Sequence, residues 1–198
     1  MTIVIEGVDA LGKSTQIQKI KEEFEKRGIS VHILHYSNIK AFGNDNKKIR
    51  EASYKQYRDM LKLANYAASE DSMALILDRS HIGESVYSPL YRNYNGDFVF
   101  EEEKTFLWQD NLKRIKLILF TDEVEAIIKR DKERNDGQSF SLDPEMKKKE
   151  LDLFDKAFEK SILNKKRIEL KGRNAEQIWN EEVKTFIFDI ERYAKLKT

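Results

Sequence analysis

Cysteine is absent from the 198-residue chain, so disulfides, zinc–thiolate centres and cysteine nucleophiles are all excluded. Histidine is scarce. His32, His35 and His81 have no metal-ligand spacing, and only His81 adjoins a candidate site residue. Charge of one sign is not in excess: 36 Lys and Arg stand against 35 Asp and Glu, a formal +1. That balance argues against a general nucleic-acid or membrane-surface protein, although local patches stay open. No apolar run reaches membrane-spanning length, and from Met1 the chain enters a strand-like run without a signal-peptide pattern. The expectation is a cytoplasmic protein. Repeats, low-complexity tracts and linker-like stretches are missing too, so residues 1–198 read as one domain. Hydrophobic residues at 40% can fill a sizeable core.

What is present is concentrated in residues 2–15, Thr-Ile-Val-Ile-Glu-Gly-Val-Asp-Ala-Leu-Gly-Lys-Ser-Thr. Residues 3–5 are an apolar, β-branched run suited to a strand buried on both faces. Gly7, Gly12, Lys13 and Ser14 then fit G-x-x-x-x-G-K-[ST], and Ile17, Ile20 and Phe24 follow at helical spacing. A glycine loop between strand and helix lets main-chain N–H groups approach phosphate oxygens, and the helix aims its positive end at the same anion. The spacing predicts a site for a nucleoside triphosphate, ATP with Mg²⁺. Its candidate residues are Gly7, Ala10, Leu11, Gly12, Lys13, Ser14 and Thr15, with Lys13 on the β- and γ-phosphates and the Ser14 hydroxyl on the metal. An ordinary glycine turn before a helix is the plainer alternative; the flanking strand and helix tell against it.

Further strands are expected at 30–34, 73–77, 117–120 and 168–170. Helices are expected at 49–69, 98–112, 123–134, from Pro144 to about 160, and from Asn174 to about 194, with a loop over 36–48. Short apolar strands alternating with helices predict a three-layer α/β fold of the phosphate-loop NTPase type. Its sheet is mainly parallel, about five-stranded, and flanked by helices. Ligands in such sheets bind outside the carboxyl ends of the strands. That rule gathers the phosphate loop, the stretch from Tyr36 and Asp78-Arg79-Ser80 on one rim.

Asp78 directly follows the run Ala-Leu-Ile-Leu, where an acid can hold or orient Mg²⁺, often through water. Arg79 offers a planar bidentate donor to a phosphate. A structural Asp–Arg pair closing the strand is the alternative, and the adjacent phosphate loop favours function. Arg130 and Arg134 lie four apart on one helix face, before a polar segment with the turn signal Asp136-Gly137. Residues 130–143 read as a lid whose arginines would neutralise charge on a transferred phosphoryl group. A solvated charged face is the competing reading. Tyr87, Tyr91 and Tyr94 could stack a nucleobase, although core packing is the commoner fate of such residues.

On these residues the chain resembles the thymidylate kinase branch of the nucleoside and nucleotide kinases. The stretch 6–15 is close to that family's phosphate loop, acidic residue included, and the family's Asp-Arg falls on Asp78-Arg79. The resemblance implies that Asp9 contacts the acceptor's 3′-hydroxyl and that Arg79 binds the acceptor phosphate. Tyr36, by its place on the rim, and Tyr87, as an aromatic close to Asp78-Arg79-Ser80, are candidate acceptor-binding residues. The resemblance also implies a role for residues 172–174 with Arg173 at adenine, and a possible homodimer. Ala10 stands where one subgroup carries an arginine; the other subgroup supplies arginines from the lid, which fits Arg130 and Arg134. There are departures. The stretch 35–38 lacks the usual arginine, for which Lys40 is a substitute, and Met60 to Tyr66 lacks the Phe and Arg that frame thymine. The short link before the third strand, and Arg-Ser after it, resemble the deoxynucleoside kinases.

Chemistry separates these kinases. A sugar hydroxyl must lose a proton to attack, and residues 32–40 contain no Asp or Glu to take it. A monophosphate is already anionic and needs positioning and charge neutralisation more than a base. A deoxynucleoside monophosphate kinase acting on dTMP or a related pyrimidine nucleotide is therefore expected. A deoxynucleoside kinase is the alternative, and a phosphate-loop switch without an acceptor the second. A regulatory GTPase is disfavoured, because Asn164-Lys165-Lys166-Arg167 lacks the Asp of a guanine motif.

Overall fold

The structure, a computed structural model, describes residues 1–35, 45–134 and 141–188. Tyr36, Lys40, the Asp136-Gly137 turn and the end of the last expected helix lie outside the described residues.

Five strands form one parallel sheet in the order β2-β3-β1-β4-β5. They are β1 (Thr2–Glu6), β2 (Ser30–His35), β3 (Met73–Asp78), β4 (Ile115–Thr121) and β5 (Asn164–Glu169). The apolar runs take the centre: every residue of β1 is buried, as are six of the seven in β4. The edges look different. β5 reads Asn-Lys-Lys-Arg-Ile-Glu and only its Ile168 is fully buried, which is why apolar patterning finds just its end. Its Lys165 and Arg167 lie over the Phe158 ring while their charges blunt the exposed edge.

Helices α1 (Lys13–Lys26), α2 (Asn46–Ser69), α3 (His81–Tyr91), α4 (Phe98–Phe106), α5 (Gln109–Leu112), α6 (Val124–Arg134), α7 (Pro144–Lys160), α8 (Ala175–Ile178) and α9 (Lys184–Phe188) complete the described elements. Ile17, Ile20 and Phe24 of α1 are buried as the spacing predicts, each stabilising by roughly 1.5–3 kcal/mol. The expected helix over 98–112 is broken at Leu107–Trp108, where the Trp108 N–H donates to the Asn65 side chain. A π-helical turn, Trp179–Val183, interrupts the last helix between α8 and α9. α3 has no counterpart in the sequence reading, because Gly83 and Pro89 hide its helical pattern.

The chain leaves β1 toward β2 and leaves β4 toward β5, in opposite directions across the sheet. A crevice therefore opens at the carboxyl end of β1. α3 starts two residues past Arg79, and a buried carboxylate fastens it. Glu103 of α4 accepts from His81 Nε2 (2.8 Å), the Ser161 hydroxyl (2.7 Å) and the Ile162 N–H (2.7 Å), tying α4 to the start of α3 and the end of α7. Burial alone would raise the Glu103 carboxyl, but the hydrogen bond and charge of His81, helped by Ser161, hold it below its ordinary value. A depressed folded-state value means stability that is complete above the ordinary 4.5 and is lost as pH falls through the lowered value. Glu103→Ala should cost about 3–5 kcal/mol at neutral pH and flatten the acid limb of a stability–pH curve. Urea unfolding from pH 3 to 7 checks this; an unchanged acid limb would refute it.

Candidate functional site

Between β1 and α1 the backbone turns through left-handed conformations at Gly7 (φ 129°), Ala10 (φ 63°) and Gly12 (φ 71°). Gly7 is fixed by close approach as well, since a Cβ there would lie 2.4 Å from the Phe120 carbonyl oxygen. The loop curls around Lys13, whose Nζ donates to the carbonyls of Gly7 (2.9 Å) and Val8 (2.6 Å). Burial, reinforced by the positive charge of Arg79, pushes the Lys13 ammonium down to about 8. Such a cation gains most from an anion delivered into the loop.

Opposite the loop, β3 ends at Asp78 and the next residue, Arg79, takes a left-handed conformation (φ 70°) unusual for a side-chain-bearing residue. Its guanidinium pairs with the Asp9 carboxylate and lies 6.0 Å from the centre of the Tyr87 ring. The Asp78 carboxylate accepts from His35 Nδ1 at 2.8 Å. From α6, Arg130 donates to Asp122 (2.5 Å) and Arg134 to Asp131 (3.0 Å).

These groups face one cleft of about 340 Å³. Loop residues Asp9, Ala10, Leu11, Gly12, Lys13 and Ser14 form one wall. Asp78, Arg79, Arg130 and Arg134 close it, and His35 joins them. Other residues singled out in the sequence lie elsewhere. Gly7 is buried beneath the loop and Thr15 is exposed at the start of α1. Tyr87 packs edge-on against Phe154 (5.7 Å) and stacks on Tyr91 (6.1 Å), so it backs Arg79 as part of the core. Arg173 pairs with Glu181 (3.1 Å) and Glu182 (3.0 Å) and donates to main-chain carbonyls of Glu169 and Leu170. It braces the turn after β5.

Three residues escape sequence reading. His35 ends β2 in register with Asp78, so its place on the rim follows only from the strand order. Asp122, just past β4, grips Arg130 with one oxygen and accepts the Lys171 N–H (3.2 Å) with the other. Glu6, inside the motif stretch, is buried beneath Ser80. A second hollow of about 500 Å³, between the end of α3 and α7, takes in Tyr94 alone of the singled-out residues, and its Lys160 is already paired with Asp97 (2.6 Å).

Fold and cleft together define a phosphate-loop protein of the nucleotide-kinase class. The Bacillus subtilis YorR protein, solved in complex with phosphorylated GDP, has the same fold at TM-score 0.61 and 18% identity over 98% of both chains. Deoxyadenosine kinase from M. mycoides, solved with dCMP and dCDP, superposes at TM-score 0.54 with 17% identity over 98% of this chain and 99% of that one. The sequence matches the thymidylate kinase family over residues 5–185, and the chain belongs to that family, whose members are phosphotransferases. A probable thymidylate kinase of Methanosphaera stadtmanae is 31% identical over 67% of this chain and 73% of its own length. The thymidylate kinase of Chlorobaculum parvum is 27% identical over 51% of this chain and about half, 52%, of its own.

The two loop glycines should respond unequally to a methyl group. Among the described residues nothing lies within 4 Å of a Cβ at Gly12, so Gly12→Ala meets conformational strain, about 1–2 kcal/mol. Gly7→Ala must also push back the β4 backbone at Phe120 and should cost clearly more. Urea denaturation of both variants decides it, equal losses being the contrary result.

Proposed function

We propose that the protein transfers the γ-phosphoryl group of ATP to a deoxynucleoside 5′-monophosphate, dTMP or a related pyrimidine nucleotide. The observation that carries this reading is Arg79: a guanidinium turned into the phosphate-loop cleft gives a second anion site facing the first. In the reaction an acceptor phosphate oxygen bonds to the γ-phosphorus while the bond to the β–γ bridging oxygen breaks, releasing ADP. The loop N–H groups and Lys13 hold the donor, Arg79 orients the acceptor phosphate, and Asp9 accepts from the sugar hydroxyl. Arg130 and Arg134 neutralise charge spreading over the transferred group.

Ser14 and Asp78 fit Mg²⁺ in donor chemistry, offering hydroxyl and carboxylate oxygen at one cleft. No cluster of three acidic or histidine side chains that could hold a metal ion occurs among the described residues, which suits a Mg²⁺ that arrives with the nucleotide. Bound there, the metal would neutralise phosphate charge. Among the described residues no helix is long and apolar enough to cross a membrane, and a cytoplasmic setting goes with a nucleotide substrate.

The test is ADP release from ATP and Mg²⁺ with each deoxynucleoside and each 5′-monophosphate offered separately. Turnover with a pyrimidine monophosphate is expected; turnover with nucleosides alone would overturn the reading. Lys13→Ala and Arg79→Ala should each lower kcat/KM by about 100-fold or more while circular dichroism and Tm show an intact fold. Full activity in either variant would be equally damaging.

A further inference from the structure

The two anion sites hang from different strands, the phosphate loop from β1 and Arg79 from β3. Direct backbone pairing stops at their carboxyl ends, where Ile5 lies opposite Asp78 and the Arg79 N–H donates to the Ile5 carbonyl (3.0 Å). One residue later a side chain takes over. Glu6 Oε1 accepts from the Ser80 N–H (2.6 Å), the Ser80 hydroxyl (2.7 Å) and the Gly83 N–H (3.2 Å), with Glu6 1% exposed. Ser80 is also the N-cap of α3, its hydroxyl oxygen accepting from the Ile82 N–H (3.3 Å). A single carboxylate thus joins the residue preceding Gly7 to the residue following Arg79 and to the first turn of α3.

We infer that Glu6 is a positioning residue that sets the distance between donor and acceptor phosphates, by clamping the Asp78-Arg79-Ser80 turn to the root of the phosphate loop. The inference rests on the proposed monophosphate kinase reading. Arg79 sits in a left-handed conformation that a non-glycine residue leaves unless neighbours hold it there. Its N–H is fixed by Ile5 and the following N–H by Glu6, so the peptide between them cannot rotate without breaking a buried, charge-assisted hydrogen bond. Released from Glu6, the turn relaxes and the guanidinium leaves its place on the cleft beside Asp9. The donor loop is held independently of the Glu6 side chain, by the β1–β4 pairing that runs up to Glu6 and Leu119 and by Lys13 Nζ on the Gly7 and Val8 carbonyls, so it keeps its shape.

Glu6→Ala, Glu6→Gln and Ser80→Ala are compared with the parent in the ADP-release assay, varying donor and acceptor separately. Glu6→Ala should lose about 100-fold in kcat/KM for the acceptor, the scale of a reactant displaced by about 1 Å, while the donor KM stays within about two-fold. Glutamine retains a carbonyl acceptor for Ser80 and should recover most of that loss; Ser80→Ala, which removes one of three bonds, should fall between. A second readout needs no turnover: the Arg79 Nε–H resonance, assigned by its disappearance in Arg79→Lys, should move toward the free-guanidinium position in Glu6→Ala.

Kinetic constants and an Arg79 resonance unchanged in folded Glu6→Ala and Ser80→Ala would overturn the role, as would donor and acceptor constants failing together. A parent that turns over no monophosphate would instead sink the proposed function, and with it a role that depends on two phosphates. An active parent with indifferent variants sinks the role of Glu6 alone.

Discussion

Parallel pairing of β1 with β3, in the register that sets Ile5 beside Asp78, is the constraint from which the cleft follows. The pairing carries no chemistry itself. It works because both strands end at the same level, so a glycine loop and an Asp-Arg turn emerge side by side from a buried sheet. β4 on the other flank of β1 supplies the Phe120 carbonyl against which Gly7 is pressed, and then Asp122, which takes hold of Arg130. A shift of one residue in either pairing would invert the side chains of a fully buried strand, so core packing and cleft geometry enforce the same register.

Charge in the cleft is arranged as a set of exchangeable pairs. Arg79 leans on Asp9, Arg130 on Asp122 and Arg134 on Asp131, while Lys13 is held by two main-chain carbonyls. A half-buried guanidinium facing a cleft without a counter-charge would carry a large desolvation cost, so the acids keep the fold stable before ligands arrive. In the proposed reaction, phosphates would replace carboxylates or carbonyls as partners instead of meeting bare cations. The affinity gained is the difference between two sets of contacts.

The cleft was legible from sequence where chemistry and periodicity coincide. The phosphate loop, the buried central strands and Asp78-Arg79 each announce themselves through residue type and spacing. What escaped depends on tertiary context. α3 is masked by Gly83 and Pro89, and β5 by charges that an edge strand tolerates. His35 gains meaning only when β2 is set beside β3, and Glu6 looks like one more motif letter until Ser80 and Gly83 are folded onto it. Tyr87 and Arg173 show the converse, a place in the fold that residue type does not reveal. Residue type drew attention to them, while the one lies in the core behind Arg79 and the other braces a turn.

The Asp9–Arg79 pair bears on which kind of acceptor the proposed reaction uses. A neutral acceptor offers the guanidinium nothing that competes with a carboxylate, so the pair would persist and the charge of Asp9 would stay neutralised. An acceptor carrying a phosphate can take Arg79 over, because a dianion with three oxygens outbids a single carboxylate for a planar fork of donors. Asp9, released, becomes a charged acceptor beside the place where the sugar would lie, and a hydroxyl there would satisfy it. The exchange is most favourable when phosphate and hydroxyl arrive on one molecule. Under this reading the pair discriminates a nucleotide from a nucleoside, and from free phosphate, before any contact with the base.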